Sequence, residues 1–488
     1  MAFHDLREFV QLLEQRGELV RIKAQVDPEL EITEITDRIS KGPAAQNKAL
    51  LFENVKGSTM PVLINAFGNA SRMAWALGLD DLEDLQHNLA KTIDLKLPQG
   101  LQAALQRGRD LFGVLKSIGL GPKIVGQAPV QEVVLTGDRI ALSQLPILKC
   151  WPLDGGKYIT LMQVITRDPL SNIRNVGMYR LQVKDDRTLM MHWQRHKGGA
   201  EHERVAQEEK KPIIPCAIVL GGDPAAMWCA SAPLPPNIDE YLLAGYLRGR
   251  PVEFVKCVTQ PIEAPANAEI VIEGYVDPNE HEVEGPFGDH TGFYTPADRF
   301  PVFHLTAITH RRNPIYPTTV VGKPPMEDYW MGKATERLFL PLLKLFLGEV
   351  VDYNMPAEGV FHNLVIVSIK KRFPGHPQKT MFGIWGLGLM MLAKAIIVVD
   401  ADVNVHDLRD VLWRVLGNVD WKRDVTIVEG AVDQLDHSAL RDSLGGKIGI
   451  DATAKGPQDG HPRGWPTEIE MEAAVKERVE RRWKEYGL

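Results

Sequence analysis

The spacing of apolar residues changes twice along the chain and divides it into three stretches. Leu6, Phe9, Val10 and Leu13 recur at helical spacing with Asp5 placed to cap them, which predicts an amphipathic helix over 3–16. Glu31 to Ile39 predicts a second helix. Ala49–Val55 and Pro61–Phe67 read as buried strands, followed by a helix around 71–78 and charged helices over 81–110, so 1–112 is expected to be an N-terminal α/β domain. From about 113 the pattern favours short strands: Val130–Thr136, Tyr158–Arg167, Asn175–Lys184, Thr188–Trp193, Pro215–Gly221, Val252–Val258, Glu269–Val276 and Val302–His310. Asp185-Asp186, Gly221-Gly222-Asp223-Pro224 and Arg312-Asn313-Pro314 punctuate them, and Asp239–Arg248 is the one good helix. Closely spaced strands of this kind predict a closed or split β-barrel over 113–325.

Met326–Leu347 predicts a long connecting helix (326–348) with Pro341 as a kink. Beyond it, Asn363–Lys370, Ala395–Val399 and Val425–Val428 alternate with helical stretches, one running to about Leu392 and one over Asp407–Leu416. Apolar strands divided by helices predict a doubly wound parallel sheet for 349–488. The charged segment Thr467–Tyr486 reads as an exposed or subunit-bridging helix.

Composition narrows the function classes. The 488 residues are 44% hydrophobic and 24% charged, as in an ordinary soluble protein of two or three domains. A net charge of −7 without a Lys/Arg block argues against nucleic acid as a partner. No apolar run is long enough to span a membrane, and the N-terminus lacks a basic start followed by an apolar core, so a cytoplasmic protein is expected. Cys150, Cys216, Cys229 and Cys257 show no CxxC spacing and fit free thiols in a reducing compartment.

Three stretches carry candidate chemistry. Glu284-Gly-Pro-Phe-Gly-Asp-His-Thr-Gly292 sets two carboxylates five residues apart around Gly285, Pro286 and Gly288, which places both acids on a stiff loop. Paired acids of this kind suit acid/base chemistry, and a solvated Pro-Gly surface turn is the plain alternative. Asn175-Val-Gly-Met-Tyr-Arg180 faces Met191-His-Trp-Gln-Arg-His-Lys-Gly-Gly199 across an expected hairpin, gathering His192, Arg195, His196 and Lys197 beside two glycines. Cations beside glycines suit an anionic ligand, and a polar barrel exterior is the alternative. Glu240 opens a helix, where an acid ordinarily answers the helix dipole. Asp400-Ala-Asp-Val-Asn404 lacks the Gly and Glu of a calcium loop, and its acids are expected to cap the next helix. Gly383, Gly386 and Gly388 do not form a dinucleotide fingerprint.

Together, the N-terminal Asp-Leu-Arg-Glu-Phe9 helix, Leu51-Phe-Glu-Asn54, Asn175-x-Gly-x-Tyr-Arg180, His196-x-Gly-Gly199, Glu284-Gly-Pro-x-Gly-Asp289 and Gly446-Lys-x-Gly-x-Asp-Ala-Thr453 make the chain resemble the UbiD family of prenylated-flavin-dependent decarboxylases. Within it, the likeness is to the bacterial 3-polyprenyl-4-hydroxybenzoate decarboxylase branch. The resemblance implies a flavin-reductase-like split barrel holding prenylated FMN, a divalent metal such as manganese at its phosphate, and potassium nearby. Carried over to these positions, Asn175, His196 and Glu240 would ligate the metal. Met178, Tyr179, Arg180, His192, Trp193, Gln194, Lys197, Gly198 and Lys394 would contact the cofactor. Arg180, Glu284 and Asp289 would be the catalytic trio, with Arg180 on the substrate carboxylate and Asp289 carrying the proton at a raised pKa. His192 stands where many members have Arg, and Lys197 where Arg is frequent, which moves or weakens any bidentate anion contact there. A lipid-tailed aromatic acid, a peripheral membrane association, a homo-oligomer (hexamer or dimer) and a flavin prenyltransferase as cofactor source complete the expectation. Decarboxylation of another aromatic or acrylic acid, and a flavin-binding protein without turnover, are the alternatives.

Overall fold

A computed structural model describes residues 3–94, 121–194, 197–234 and 238–487, without the side chains of 92–94. The expected helices over 95–110, and Arg195 and His196, lie outside the described residues. Near the N-terminus the expectations hold. The helix Leu6–Gln15 buries Leu6, Phe9, Val10 and Leu13, and the Asp5 carboxylate accepts from the amides of Arg7 and Glu8 at 3.0 and 3.1 Å. The strands Leu19–Ile22, Ala49–Phe52 and Val62–Ile64 form a sheet whose fourth strand, Tyr316–Pro317, returns from far along the chain.

The central region is a nine-stranded sheet in which every pairing is antiparallel. Its strands bury both faces. In Ile214–Leu220, Cys216, Ile218 and Leu220 enter one core while Ala217 and Val219 enter the other, as a period of two requires. Pairing follows one open path among the described residues, from Tyr158–Ile159 at one end to Arg174–Gly177 at the other. Yet Arg174–Gly177 is followed directly by Leu181–Asp185, next to the opposite end of that path. The two lie six strand steps apart, roughly 29 Å across a flat sheet. The three residues Met178–Arg180 reach only about 14 Å. The sheet must therefore curl until its edges approach, a split rather than closed barrel, with Met178–Arg180 crossing the split. That is why the expected single strand Asn175–Lys184 is broken in two.

Two helices join the expected one in this region, Gly198–Glu208 and Pro224–Cys229. The first was masked in sequence by its charge, because only Gly199, His202, Val205 and Ala206 of its face are buried. The helix Glu327–Phe346 continues through Pro341. The C-terminal sheet runs Val350–Asn354, Leu364–Ile369, Ala395–Asp400, Leu444–Asp451, Val425–Ala431. Its three central strands are parallel and both edge strands antiparallel. Val365, Val367, Ile396 and Val398 face one core, while Ile366, Ile397 and Val399 face another beneath the helix Leu408–Asn418, so both sides are covered. Asp407, not the acids of 400–404, caps that helix. Asp400 instead accepts the Ala454 amide at 2.7 Å. At the C-terminus only Ala473–Arg481 is α-helical, and it buries no residue.

Candidate active site

The crossing segment delivers Arg180 to the acids. Its Nε and Nη2 donate to the two oxygens of Glu284 at 2.9 and 3.1 Å, a bidentate pair, and Nη1 donates to Asp289 Oδ2. The guanidinium lies 4.6 Å from the Phe287 ring centroid. Glu284 is fully buried and ends the long strand Ile270–Glu284, so it sits on the sheet and not on the loop; Asp289 alone is on the loop. His192 Nδ1 is 3.1 Å from Glu284 Oε2.

The turn between the acids is fixed on every side. Gly285 has φ +96°, and a Cβ there would lie 3.0 Å from the Ala297 backbone. Its amide donates to Gln182 Oε1 at 2.7 Å. The Pro286 carbonyl accepts from the Gly155 amide at 2.8 Å and the Tyr158 hydroxyl at 3.2 Å. The Gly288 amide donates to Asp154 Oδ1 at 2.8 Å, and a Cβ at Gly288 would strike Trp151 at 2.3 Å. On the other side Thr295 Oγ1 donates to Asp289 Oδ2 at 2.9 Å, and the ring and amide of His290 both meet Asp289 Oδ1 at 2.8 Å.

Burial pushes the Glu284 carboxyl up, but the His192 hydrogen bond and the Arg180 charge outweigh it and hold the group at about 2. Asp289 follows the same balance: burial raises it, and Arg180 and His290 bring it well below the usual carboxylate range. This departs from the expected raised acid, because Arg180 stands between the two carboxylates and His290 adds a second donor. Burial lowers His192 more than Glu284 raises it, leaving a neutral ring that donates through Nδ1.

A second group lies at the other end of the crossing segment. Asn175 Nδ2 donates to the Tyr179 hydroxyl at 3.3 Å, which accepts the Gly199 amide at 3.1 Å at the start of the helix Gly198–Glu208. Glu240 accepts the Val176 amide at 2.8 Å, and burial pushes its carboxyl up to about 8. The structure thus brings Asn175, Tyr179, Gly198 and Glu240 together, while His196 is outside the described residues. Among the described residues no three His, Cys, Asp or Glu side chains converge as a metal site. Met178 is half-buried between the two large cores, Trp193 is buried, and the Gln194 carbonyl accepts the Lys197 amide at 3.0 Å. Lys394 immediately precedes the strand Ala395–Asp400 of the C-terminal sheet, its ammonium held by Asp436 and Ser438 at 3.0 and 2.6 Å. The neighbouring His437 ring packs 4.2 Å from Phe293 of the acid loop.

Family models match along most of the chain: the 3-octaprenyl-4-hydroxybenzoate carboxy-lyase N-terminal domain at 10–91, its Rift-related domain at 123–324 and its C-terminal domain at 329–452. An uncharacterized protein of Aquifex aeolicus is 52% identical over 487 residues, covering 100% of this chain and 99% of its own. The chain belongs to the UbiD family. Among solved structures, the UbiD-class enzyme HmfF from Pelotomaculum thermopropionicum in complex with FMN is 31% identical, covering 97% of this chain and 98% of its own, with a TM-score of 0.80. Vanillic acid decarboxylase of Sedimentibacter hydroxybenzoicus in its closed form is 30% identical, with coverage of 100% and 99% and a TM-score of 0.84. This UbiD chain is thus a carboxy-lyase of that class. Sequence reasoning missed several of its site residues. His290 lay inside the quoted acid stretch without a role, and its adjacency to Asp289 was a usable signal. Gln182, Asp154, Thr295 and His362 gave no local signal, because pairing and loop packing across distant segments bring them in.

Proposed function

We propose that this UbiD chain decarboxylates 3-polyprenyl-4-hydroxybenzoate to 2-polyprenylphenol in ubiquinone biosynthesis, using prenylated FMN with Mn2+ at its phosphate and K+ nearby. The observation that carries the reading is Arg180 holding both Glu284 and Asp289 beside the crossing of the split barrel.

The residues present fit the cofactor and metal. Trp193 Nε1 and His192 Nε2 are buried and have no partner among the described residues. A Cβ at Gly198 would lie 2.0 Å from Asn175 Oδ1, so only glycine lets the Asn175 side chain pack against the backbone at that helix start. Glu240, neutral near pH 7 on its own, would ionise beside a divalent cation, with Asn175 as an oxygen donor and His196 as the third ligand. Lys197 and Gly198 would face the phosphate, while Met178, Tyr179 and Gln194 would line the ring system and Lys394 would approach from the C-terminal sheet. When bound, the prenylated flavin supplies the electron sink that no side chain offers a departing carboxylate.

The chain's own groups then do the rest. Arg180 attracts the substrate carboxylate and orients it. Glu284, held at about 2, remains an anion throughout and keeps Arg180 in register. Its complete burial keeps water from that side. Asp289 faces the carbon that loses CO2 and passes it a proton. The lipid tail of the substrate would bring the enzyme to a membrane surface as a peripheral protein; among the described residues no helix is long and apolar enough to cross one. A homo-oligomer supplied with cofactor by a flavin prenyltransferase completes the reading.

A second reading, decarboxylation of an aromatic acid without a prenyl tail, is favoured by the likeness to vanillic acid decarboxylase over the full chain. Turnover of 4-hydroxybenzoates with and without a 3-prenyl chain, by protein produced alongside a flavin prenyltransferase, separates the two. Faster release of CO2 from the unprenylated acid would replace the first reading with the second.

A further inference from the structure

Asp289 lies ionised between Arg180 and His290, so the proton it delivers has to be stored next door. His290 is the one neighbour built to store it. Its Nδ1 is 2.8 Å from Asp289 Oδ1, and its Nε2 is 2.9 Å from His362 Nε2. Two imidazole nitrogens at that separation share one proton, and a carboxylate facing the other nitrogen takes a second. A doubly protonated His290 satisfies both contacts, with His362 accepting as a neutral ring. Ring contacts flank it: Phe361 lies tilted at 5.5 Å and His362 edge-on at 5.1 Å between centroids.

We infer that His290 holds the proton that replaces CO2, and that Asp289 carries it from His290 Nδ1 to the carbon. The charges facing the pair come from five segments. Asp289 belongs to the acid loop, Asp328 to the helix Glu327–Phe346 and Asp433 to the segment leading to His437. Lys197 and His362 face it from the start of the helix Gly198–Glu208 and from the turn before Leu364–Ile369. Burial lowers the His290 ring, but Asp289, Asp328 and Asp433 outweigh it and the net shift is upward. Burial and the His290 charge push His362 down to about 4, which keeps it an acceptor. Asp328 has one carboxylate oxygen out of water with no partner among the described residues, and burial raises its carboxyl to about 7.

The step balances simply. The His290 Nδ1–H bond breaks as an O–H bond forms on Asp289. That O–H bond then breaks as the C–H bond forms with the electron pair released by CO2. His290 is left neutral with its remaining proton on Nε2, still donating to His362, and one proton from water restores Nδ1–H. His290 acts through Asp289 and is a positioning residue for the proton, and His362 holds its tautomer. The carbon acceptor rests on the decarboxylase reading; the protonation of the His290 pair does not.

The test uses the full chain labelled with 15N-histidine. The imidazole nitrogens are followed from pH 5 to 10, with His290→Gln assigning the signal and Asp289→Asn as a second variant should the first fail to fold. The expected result is a doubly protonated His290 at neutral pH whose midpoint falls by more than about one unit in Asp289→Asn. A His290 neutral below pH 6.5 overturns the inference. In cofactor-loaded enzyme, His290→Gln should lower kcat roughly 10²-fold with KM little changed and abolish the high-pH decline of kcat. An unchanged kcat–pH profile in that variant also overturns it. A charged His290 in a protein that releases no CO2 would sink the decarboxylase reading and the delivery to carbon with it, and leave only the protonated His290 pair standing.

Discussion

Arg180 and Arg337 each bind more than one carboxylate, and they serve different ends. Arg337 donates to Glu336 at 2.9 Å and Asp352 at 2.8 Å, and reaches Glu83 at 3.4 Å. Lys333 adds two bonds to Glu336 at 2.7 and 2.9 Å, and the Tyr353 hydroxyl donates to the Glu336 carbonyl at 2.9 Å. This network ties the helices Glu83–Asp94 and Glu327–Phe346 to the first strand of the C-terminal sheet. Among the described residues the one histidine it touches, His406, stands at its exposed rim. Arg180 holds two carboxylates, of which Asp289 meets the hydrogen-bonded histidines His290 and His362 and Glu284 meets a neutral His192. Buried polar atoms of His192, His362 and Asp328 around these acids have no partner among the described residues. The Arg337 network leaves one buried atom of its own, Arg337 Nε, without a partner among the described residues and works as a clamp, whereas the Arg180 network adjoins hydrogen-bonded histidines and several spare polar atoms and awaits a ligand and a proton.

Exchanging the arginines separates the roles most sharply. Arg180→Ala is expected to lower CO2 release at least roughly 10³-fold, since it removes both the carboxylate anchor and the charge that ionises Glu284. Arg337→Ala is expected to cost about 3–5 kcal/mol of stability, read by denaturant unfolding, while kcat at a temperature where the variant is folded stays within about threefold of the parent. Equal losses of activity in the two would erase the distinction. Glu284→Gln keeps the shape and removes the charge, so kcat should fall roughly 10²- to 10⁴-fold without loss of the folded state by circular dichroism.

Much of this contrast was out of reach of the sequence. Asp5 as a helix cap and the buried faces of Leu6, Phe9 and Leu13 follow from local spacing, and so do the buried strands of both outer domains. Asn175–Lys184 looked like one strand because nothing in its residue types marks the crossing of a split barrel; only the order of strand pairing does. The edge strands of the C-terminal sheet turned out antiparallel for a like reason, since direction is set by the route of the connection and not by strand composition. The two acids were legible as a pair, but their proton balance was not. Asp289 seemed a candidate for a raised pKa beside a like charge, and the guanidinium that separates the charges arrives from more than a hundred residues away.

Acidification gives a smaller effect with a defined sign. Glu284 is depressed in the folded protein to about 2 from 4.5, so its stabilisation is fully present above pH 4.5 and is lost as pH falls toward 2. The loss amounts to roughly 3 kcal/mol across that window. Denaturant midpoints measured against pH should show it, and Glu284→Gln should flatten the slope. The smallest change is Gly198→Ala, whose Cβ collides with Asn175. It should weaken flavin retention about tenfold, about 1.4 kcal/mol, as read by absorbance after gel filtration, with little change in Tm.

The central claim is that Arg180, Glu284 and Asp289 form a decarboxylation site. It is tested most directly by 13CO2 release from carboxyl-labelled 3-prenyl-4-hydroxybenzoate, comparing cofactor-loaded protein with its Glu284→Gln variant. The account predicts one CO2 for each prenylphenol formed by the parent, and less than about 1% of that rate from the variant. No release from the loaded parent, or equal rates from both, would contradict it.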